Sequence, residues 1–180
     1  MVTASSWYTP LDKKKGLSLG EMVLFGVLGA LTFALKVCMA MLPNIEPVSL
    51  MVMLFAVVFG WKGLYPTYVY VVMEILYFGL GTWNINYLYI WAILAVAAFF
   101  LRKMESVFGW ALLSAVFGML FGALCAPVDV VIGGFGYAET KWISGIPFDV
   151  AHCAGNFVIA LVMFQPLRKL LESLYGRMKK

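Results

Sequence analysis

The chain has 180 residues, of which 63% are hydrophobic and 12% charged, with a formal net charge of +4. An ordinary soluble chain is about 45–50% apolar and about 25% charged. This sequence therefore has too few polar side chains to cover itself in water. A water-soluble fold is excluded, the solvent must be mostly lipid, and the length allows one compact domain.

In chain order, the hydrophobic runs predict an all-α membrane protein, a bundle of about six transmembrane helices over 18–42, 48–61, 63–79, 87–101, 107–131 and 145–166. Residues 1–17 form a cytoplasmic N-terminal segment, 18–170 the transmembrane domain and 171–180 a basic cytoplasmic tail. The basic run at the start leads into about 25 apolar residues with no small-residue cleavage site, so the first span is expected to stay in the mature protein. The second and third spans are short, and Gly60, Gly63 and Pro66 punctuate their join, which favours a kinked or tilted pair. The fifth holds the cleanest stretch, Val107 to Val128, without a charge. At 1.5 Å per residue it can cross a hydrocarbon core of about 30 Å.

The charges orient this bundle. With the N-terminus inside, Lys13, Lys14, Lys15, Lys62, Arg102, Lys103, Arg168, Lys169, Arg177, Lys179 and Lys180 all fall on the cytoplasmic side. Lys36 and Lys141 alone fall elsewhere. This is the positive-inside bias, and it places both termini in the cytoplasm of a multi-pass cell-membrane protein. The positive charge faces anionic lipid and calls for no nucleic acid.

The outward connections differ in character from the short basic inward ones. They read Pro43-Asn44-Ile45-Glu46-Pro47, Gly79 to Tyr87, and Gly133 to Trp142. Trp and Tyr line membrane interfaces generally, but aromatic faces beside amide donors and acceptors also suit a planar polar ligand. Ionisable groups crowd the same side: Lys36, Asp129, Asp149 and His152 within the outer halves of spans, and Glu46 at the rim. A charge in hydrocarbon costs at least about 2.5–3.5 kcal/mol on insertion scales, so each should face a cavity or a partner. Asp149, His152 and Asn156, spaced i, i+3, i+7, share one helix face; a mutually satisfied Asp149–His152 pair is the structural alternative. Asn84, Asn86, Tyr87 and Trp91 lead into the fourth span from that side. Glu74, deeper in the third span, either pairs with another helix or serves a site. The outward set holds Glu46, Asp129, Glu139 and Asp149 against Lys36 and Lys141, so a neutral or cationic ligand is expected over a polyanion.

Small residues recur every four positions at Gly26, Ala30, Ala34 and Cys38, and again at Ser114, Gly118, Gly122 and Ala126. Such stripes let another helix approach closely, within the chain or from a second subunit. The cysteines, Cys38, Cys125 and Cys153, form no C-x-x-C pair and read as small apolar filler. No nucleotide-binding loop, H-E-x-x-H or G-x-S-x-G motif is present. No catalytic residue, metal ligand or cofactor is therefore assigned, and active uptake would need energy from a partner or an ion gradient.

The layout resembles the substrate-binding S components of energy-coupling factor (ECF) transporters. The resemblance is carried by the six spans with inward termini and by Ala30-Leu31-Thr32-Phe33-Ala34 on the first helix. The run Pro43 to Val48 and the run Ser144-Gly145-Ile146-Pro147-Phe148-Asp149-Val150-Ala151-His152-Cys153-Ala154-Gly155-Asn156 complete it. It covers about Gly29 to Lys169. It implies a membrane subunit without its own ATPase site that captures a vitamin or related micronutrient outside the cell. Its partners would be a transmembrane coupling subunit, docking at Ala30 and Ala34, and two cytoplasmic ATPases. Mapped onto this chain, the pocket would be made by Asn44, Glu46, Trp83, Asn84, Asn86, Tyr87, Tyr137, Trp142, Asp149, His152 and Asn156. The rival readings are a small standalone permease or channel, and a membrane scaffold or assembly subunit.

Overall fold

The computed structural model describes residues 16–41 and 45–179. Asn44, Lys13, Lys14, Lys15 and Lys180 lie outside these residues. Every regular element among the described residues is helical: α1 (Leu19–Cys38), α2 (Val48–Phe59), a 3-10 turn (Gly60–Gly63), α3 (Leu64–Phe78), α4 (Thr82–Phe100), α5 (Val107–Met119) and α6 (Phe121–Met178). Among the described residues, four helical stretches are long and apolar enough to cross a membrane: Leu19–Cys38, Val48–Phe78, Thr82–Phe100 and Val107–Met178.

Local chemistry sets the boundaries. Ser18 and Glu21 form a capping box at the start of α1: Glu21 N–H donates to Ser18 Oγ (3.2 Å) and Ser18 N–H to Glu21 Oε2 (3.0 Å). Pro66 falls in the first turn of α3, where a missing N–H breaks no helical bond. α4 begins at Thr82, five residues before the expected start of the fourth span, because Gly81 N–H donates to Asn84 Oδ1 (2.6 Å) and closes the first turn there. Trp83, Asn84, Asn86 and Tyr87 are consequently helical, and the expected loop shrinks to residues 79–81.

A larger correction concerns Gly133 to Trp142, expected as an outward connection. The chain is helical on both sides of Gly134, whose φ of 80° and ψ of 178° break the helix at that one residue. Glycine alone tolerates such a φ without strain. The two arms run back along each other: Lys141 pairs with Asp129, Asp149 with Gly122, and the His152–Cys153 backbone lies against Gly118. At the far end of this hairpin Trp110 stacks on Phe164, with centroids 4.6 Å apart. The second small-residue stripe is thereby accounted for inside the chain. A Cβ on Gly118 would meet the His152 backbone at 2.9 Å, so no second subunit is needed to explain it.

The remaining contacts assign each helix end to one of two poles. At one pole, Lys62 from the 3-10 turn and Tyr175 from α6 both donate to Glu21 on α1 (2.8 and 2.7 Å), and Trp61 meets Phe99 of α4. At the other, Lys36 of α1, Glu74 of α3 and Tyr87 of α4 converge. α2 runs between the poles through the centre, with every residue from Val48 to Ala56 buried. A helix apolar all round belongs in such a place. At about 18 Å, α2 is too short to span a bilayer unaided, and the surrounding helices shield its ends.

α1 presents two different sides. Gly29 packs against α3 so closely that a Cβ there would come within 2.6 Å of Val69 Cβ and 2.7 Å of the Pro66 carbonyl. The other side is uncovered: Leu19, Val23, Val27, Leu31 and Leu35 form an exposed ridge, Ala34 and Cys38 are exposed beside it, and a Cβ on Gly26 would meet nothing within 4 Å. An open apolar groove of about 540 Å³ continues this side between Leu19, Val23, Val27 and Met178.

Candidate functional site

At the Lys36 pole the bundle buries charge among aromatic rings. Lys36 Nζ donates to Glu74 Oε2 (2.8 Å) and to Tyr87 Oη (3.2 Å). The same ammonium lies 5.1 Å from the ring centroid of Tyr87, 5.8 Å from that of Tyr70 and 5.9 Å from that of Phe78. These are cation–π distances, and three rings with a carboxylate make a cage suited to a positive charge. Glu46, half-buried in the connection ahead of α2, lies within Coulombic reach of both Lys36 and Glu74. Burial raises the Glu46 carboxyl above the usual glutamate value; Lys36 opposes that shift and Glu74 adds to it.

An aromatic path leads from this cage into the hairpin. Trp91 lies 5.4 Å from Tyr87 and 6.0 Å from Tyr70 on one side, and 5.9 Å from Phe121 on the other. Phe121 in turn meets the His152 ring at 5.1 Å. Ile45 of the first connection packs against this region, 3.0 Å from the position a Cβ on Gly155 would take.

Three buried polar atoms along this path have no hydrogen-bond partner among the described residues, Glu74 Oε1, Trp91 Nε1 and His152 Nε2, whereas the Tyr70 hydroxyl meets Tyr87. Leaving such a group unpaired costs about 1–3 kcal/mol, more for a charged one. Three such groups along one aromatic path are donors and acceptors that a polar ligand can satisfy.

The sequence-derived candidates separate into groups against this geometry. Glu46, Tyr87 and His152 belong to the aromatic path. Asp149 is buried but does not pair with His152; its carboxylate accepts from the Gly122 N–H (3.1 Å), freed near the irregular joint at Leu120. The alternative of a mutually satisfied Asp149–His152 pair is thus not formed, because the i, i+3 spacing aligns the residues on a face without turning the carboxylate towards the ring. Asn156 ties three elements together, donating from Nδ2 to Ser49 Oγ and to the Ser114 carbonyl (both 3.1 Å). Asn84 caps α4 while its Nδ2 is unpartnered, and Asn86 Oδ1 accepts from Tyr89 Oη (3.0 Å). Trp83, Tyr137 and Trp142 are 43%, 47% and 44% exposed and stand off the buried path, as interfacial aromatics do. Asn44 falls outside the described residues.

Sequence reasoning did not select Tyr70, Phe78 and Phe121, and it left Glu74 unassigned. The signal for Glu74 was present, since an acid deep in a span and a lysine in another each demand a partner. Tyr70 and Phe121 carried no such mark, because an aromatic in an apolar run looks the same in a core as in a site. No family model, no curated protein and no solved structure matches this chain.

Proposed function

We propose that this protein is the substrate-binding membrane subunit of an ECF-type ABC transporter. In this reading it captures a vitamin or related micronutrient at the outer face and delivers it inward when docked to a coupling subunit and ATPases. The observation that carries the reading is the set of buried groups without a partner among the described residues, Glu74 Oε1, Trp91 Nε1 and His152 Nε2, along the aromatic path that starts at the Lys36 pole. A scaffold has no use for them.

The chain crosses the membrane six times in this scheme, reversing at the 3-10 turn and at Gly134, with both termini in the cytoplasm. Lys62, Arg102, Lys103, Arg168, Lys169, Arg177 and Lys179 then lie inside and the Lys36 pole outside, as the positive-inside bias requires. The uncovered side of α1, with Ala30 and Ala34, is where the coupling subunit docks. Small side chains there let a partner helix come close.

The test is to purify the protein from cells grown in rich medium, denature it, and identify released small molecules by mass spectrometry. One micronutrient at near-stoichiometric level is expected, with its uptake restored only when coupling subunit and ATPases are supplied. A folded protein that releases nothing, or that supports uptake alone in vesicles, would overturn the proposal in favour of a scaffold or a standalone permease respectively.

A further inference from the structure

We infer that the Lys36 pole takes a ligand carrying one positive charge on a planar nitrogen group, an amidinium or a protonated nitrogen heterocycle. The inference rests on the cargo-binding reading and narrows it to a chemical class. Three independent features of the cluster point the same way.

The first is charge. Glu46 and Glu74 face the single ammonium of Lys36, so the cluster holds two carboxylates and one cation. Glu74 is 1% exposed and already paired with Lys36, so ionising Glu46 adds a negative charge that a second positive charge would offset. An anionic ligand would deepen the imbalance.

The second is the unfilled bonding pattern. Lys36 occupies Oε2 of Glu74 and leaves Oε1 without a partner. A buried carboxylate oxygen accepts and cannot donate, so the missing group is an N–H or O–H of the ligand. Trp91 Nε1 is a donor only, so it can serve a ring nitrogen or carbonyl on the same ligand. A planar nitrogen group offers donor and acceptor edges close together, as this set demands.

The third is the cage itself. The faces of Tyr70, Phe78 and Tyr87 already hold the Lys36 ammonium within 6 Å, the range in which ring quadrupoles attract a cation. The protein's own side chain thus shows which sign of charge the rings favour.

The test uses the full chain in detergent and three probes of matched shape: benzamidinium, benzamide and benzoate, with charges of about +1, 0 and −1. Calorimetric titration should show benzamidinium binding at least about tenfold tighter than benzamide, with no measurable binding of benzoate. Glu74→Gln should bring the benzamidinium preference below about threefold while leaving helicity unchanged. Should that variant not fold, Glu46→Gln, at a half-buried loop position, should reduce the preference in the same direction. Benzoate binding best, equal binding of all three, or an undiminished preference in both variants would overturn the inference. Mass spectrometry of the released cargo separates the two levels. A neutral or anionic cargo would overturn the cationic class and leave the transport reading standing. A folded protein with no cargo and no heat from any probe would overturn both.

Discussion

Lys36 Nζ lies 2.8 Å from Glu74 Oε2, joining the last turn of α1 to α3, while the other oxygen of that carboxylate has no partner. The pair is buried on the Glu74 side and 18% exposed on the Lys36 side. Removing one member of a buried pair leaves an uncompensated charge and costs about 3–5 kcal/mol. Lys36→Met should therefore lower the unfolding midpoint sharply in detergent. Lys36→Met/Glu74→Gln should recover most of that loss, since no charge is then stranded. Equal instability of single and double variants would mean that the two side chains do not act as a unit.

The glycines of α1 should respond oppositely to the same change. Gly26 has open space where a Cβ would sit, so Gly26→Ala should be neutral or gain up to about 1 kcal/mol of helix propensity. Gly29→Ala places its methyl 2.6 Å from Val69 Cβ and 2.7 Å from the Pro66 carbonyl, and overpacking of that kind costs about 1–3 kcal/mol. Thermal unfolding of the two variants side by side is the measurement. The same melting shift in both would mean that α1 and α3 are not in close contact.

Much of the fold was legible because lipid as solvent makes composition decisive. Apolar runs and their lengths follow directly from what hydrocarbon excludes. Helix ends at turns were less legible. Asn84 looks like a loop residue by type, yet its side chain caps the helix it opens. The stretch Gly133 to Trp142 is rich in glycine and polar residues, yet one left-handed glycine, Gly134, is enough to separate its helical arms. At the site, polar residues announced themselves and aromatic ones did not. Asn156 was selected for its polarity, but its bonds run to Ser49 and Ser114 across helices, a tie that spacing along one helix cannot reveal.

The uncovered side of α1 gives the proposed docking role a direct check. Ala34 is exposed, so Ala34→Trp should leave folding and cargo binding intact. It should abolish uptake by the assembled transporter, because a bulky ring holds a partner helix away from the stripe. Affinity of the isolated subunit and transport in reconstituted vesicles, measured on the same preparation, test this. Transport at the wild-type rate would remove Ala34 from the interface.

Glu46 predicts a pH dependence with two opposite signs. Its carboxyl is raised by burial, so the folded protein holds this proton more tightly than the unfolded chain does. The associated stability is present in acid and is lost as pH rises through the raised value. Cation binding runs the other way. Only the ionised carboxylate attracts the ligand, so benzamidinium affinity should rise with pH over the same window, with proton release, and then level off. Lys36, Glu74, Tyr70 and Tyr87 face the same space, and the Glu46→Gln variant isolates the contribution of this one group. Calorimetry in buffers of different protonation heat should show proton release in the wild type and a flat profile in the variant. A wild-type profile that is flat or falling would exclude Glu46 as the titrating group.

The central position of α2 bears on how the molecule is made. This helix is synthesised second, yet the tie that locks it, Asn156 to Ser49, joins residues 107 positions apart in the chain. Its neighbours α4 and α6 also follow it from the ribosome. At roughly 18 Å, it cannot hold a stable place in a bilayer by itself. The core of this bundle therefore cannot set until nearly the whole chain has left the insertion machinery. Until then its earliest buried segment depends on whatever shelters it.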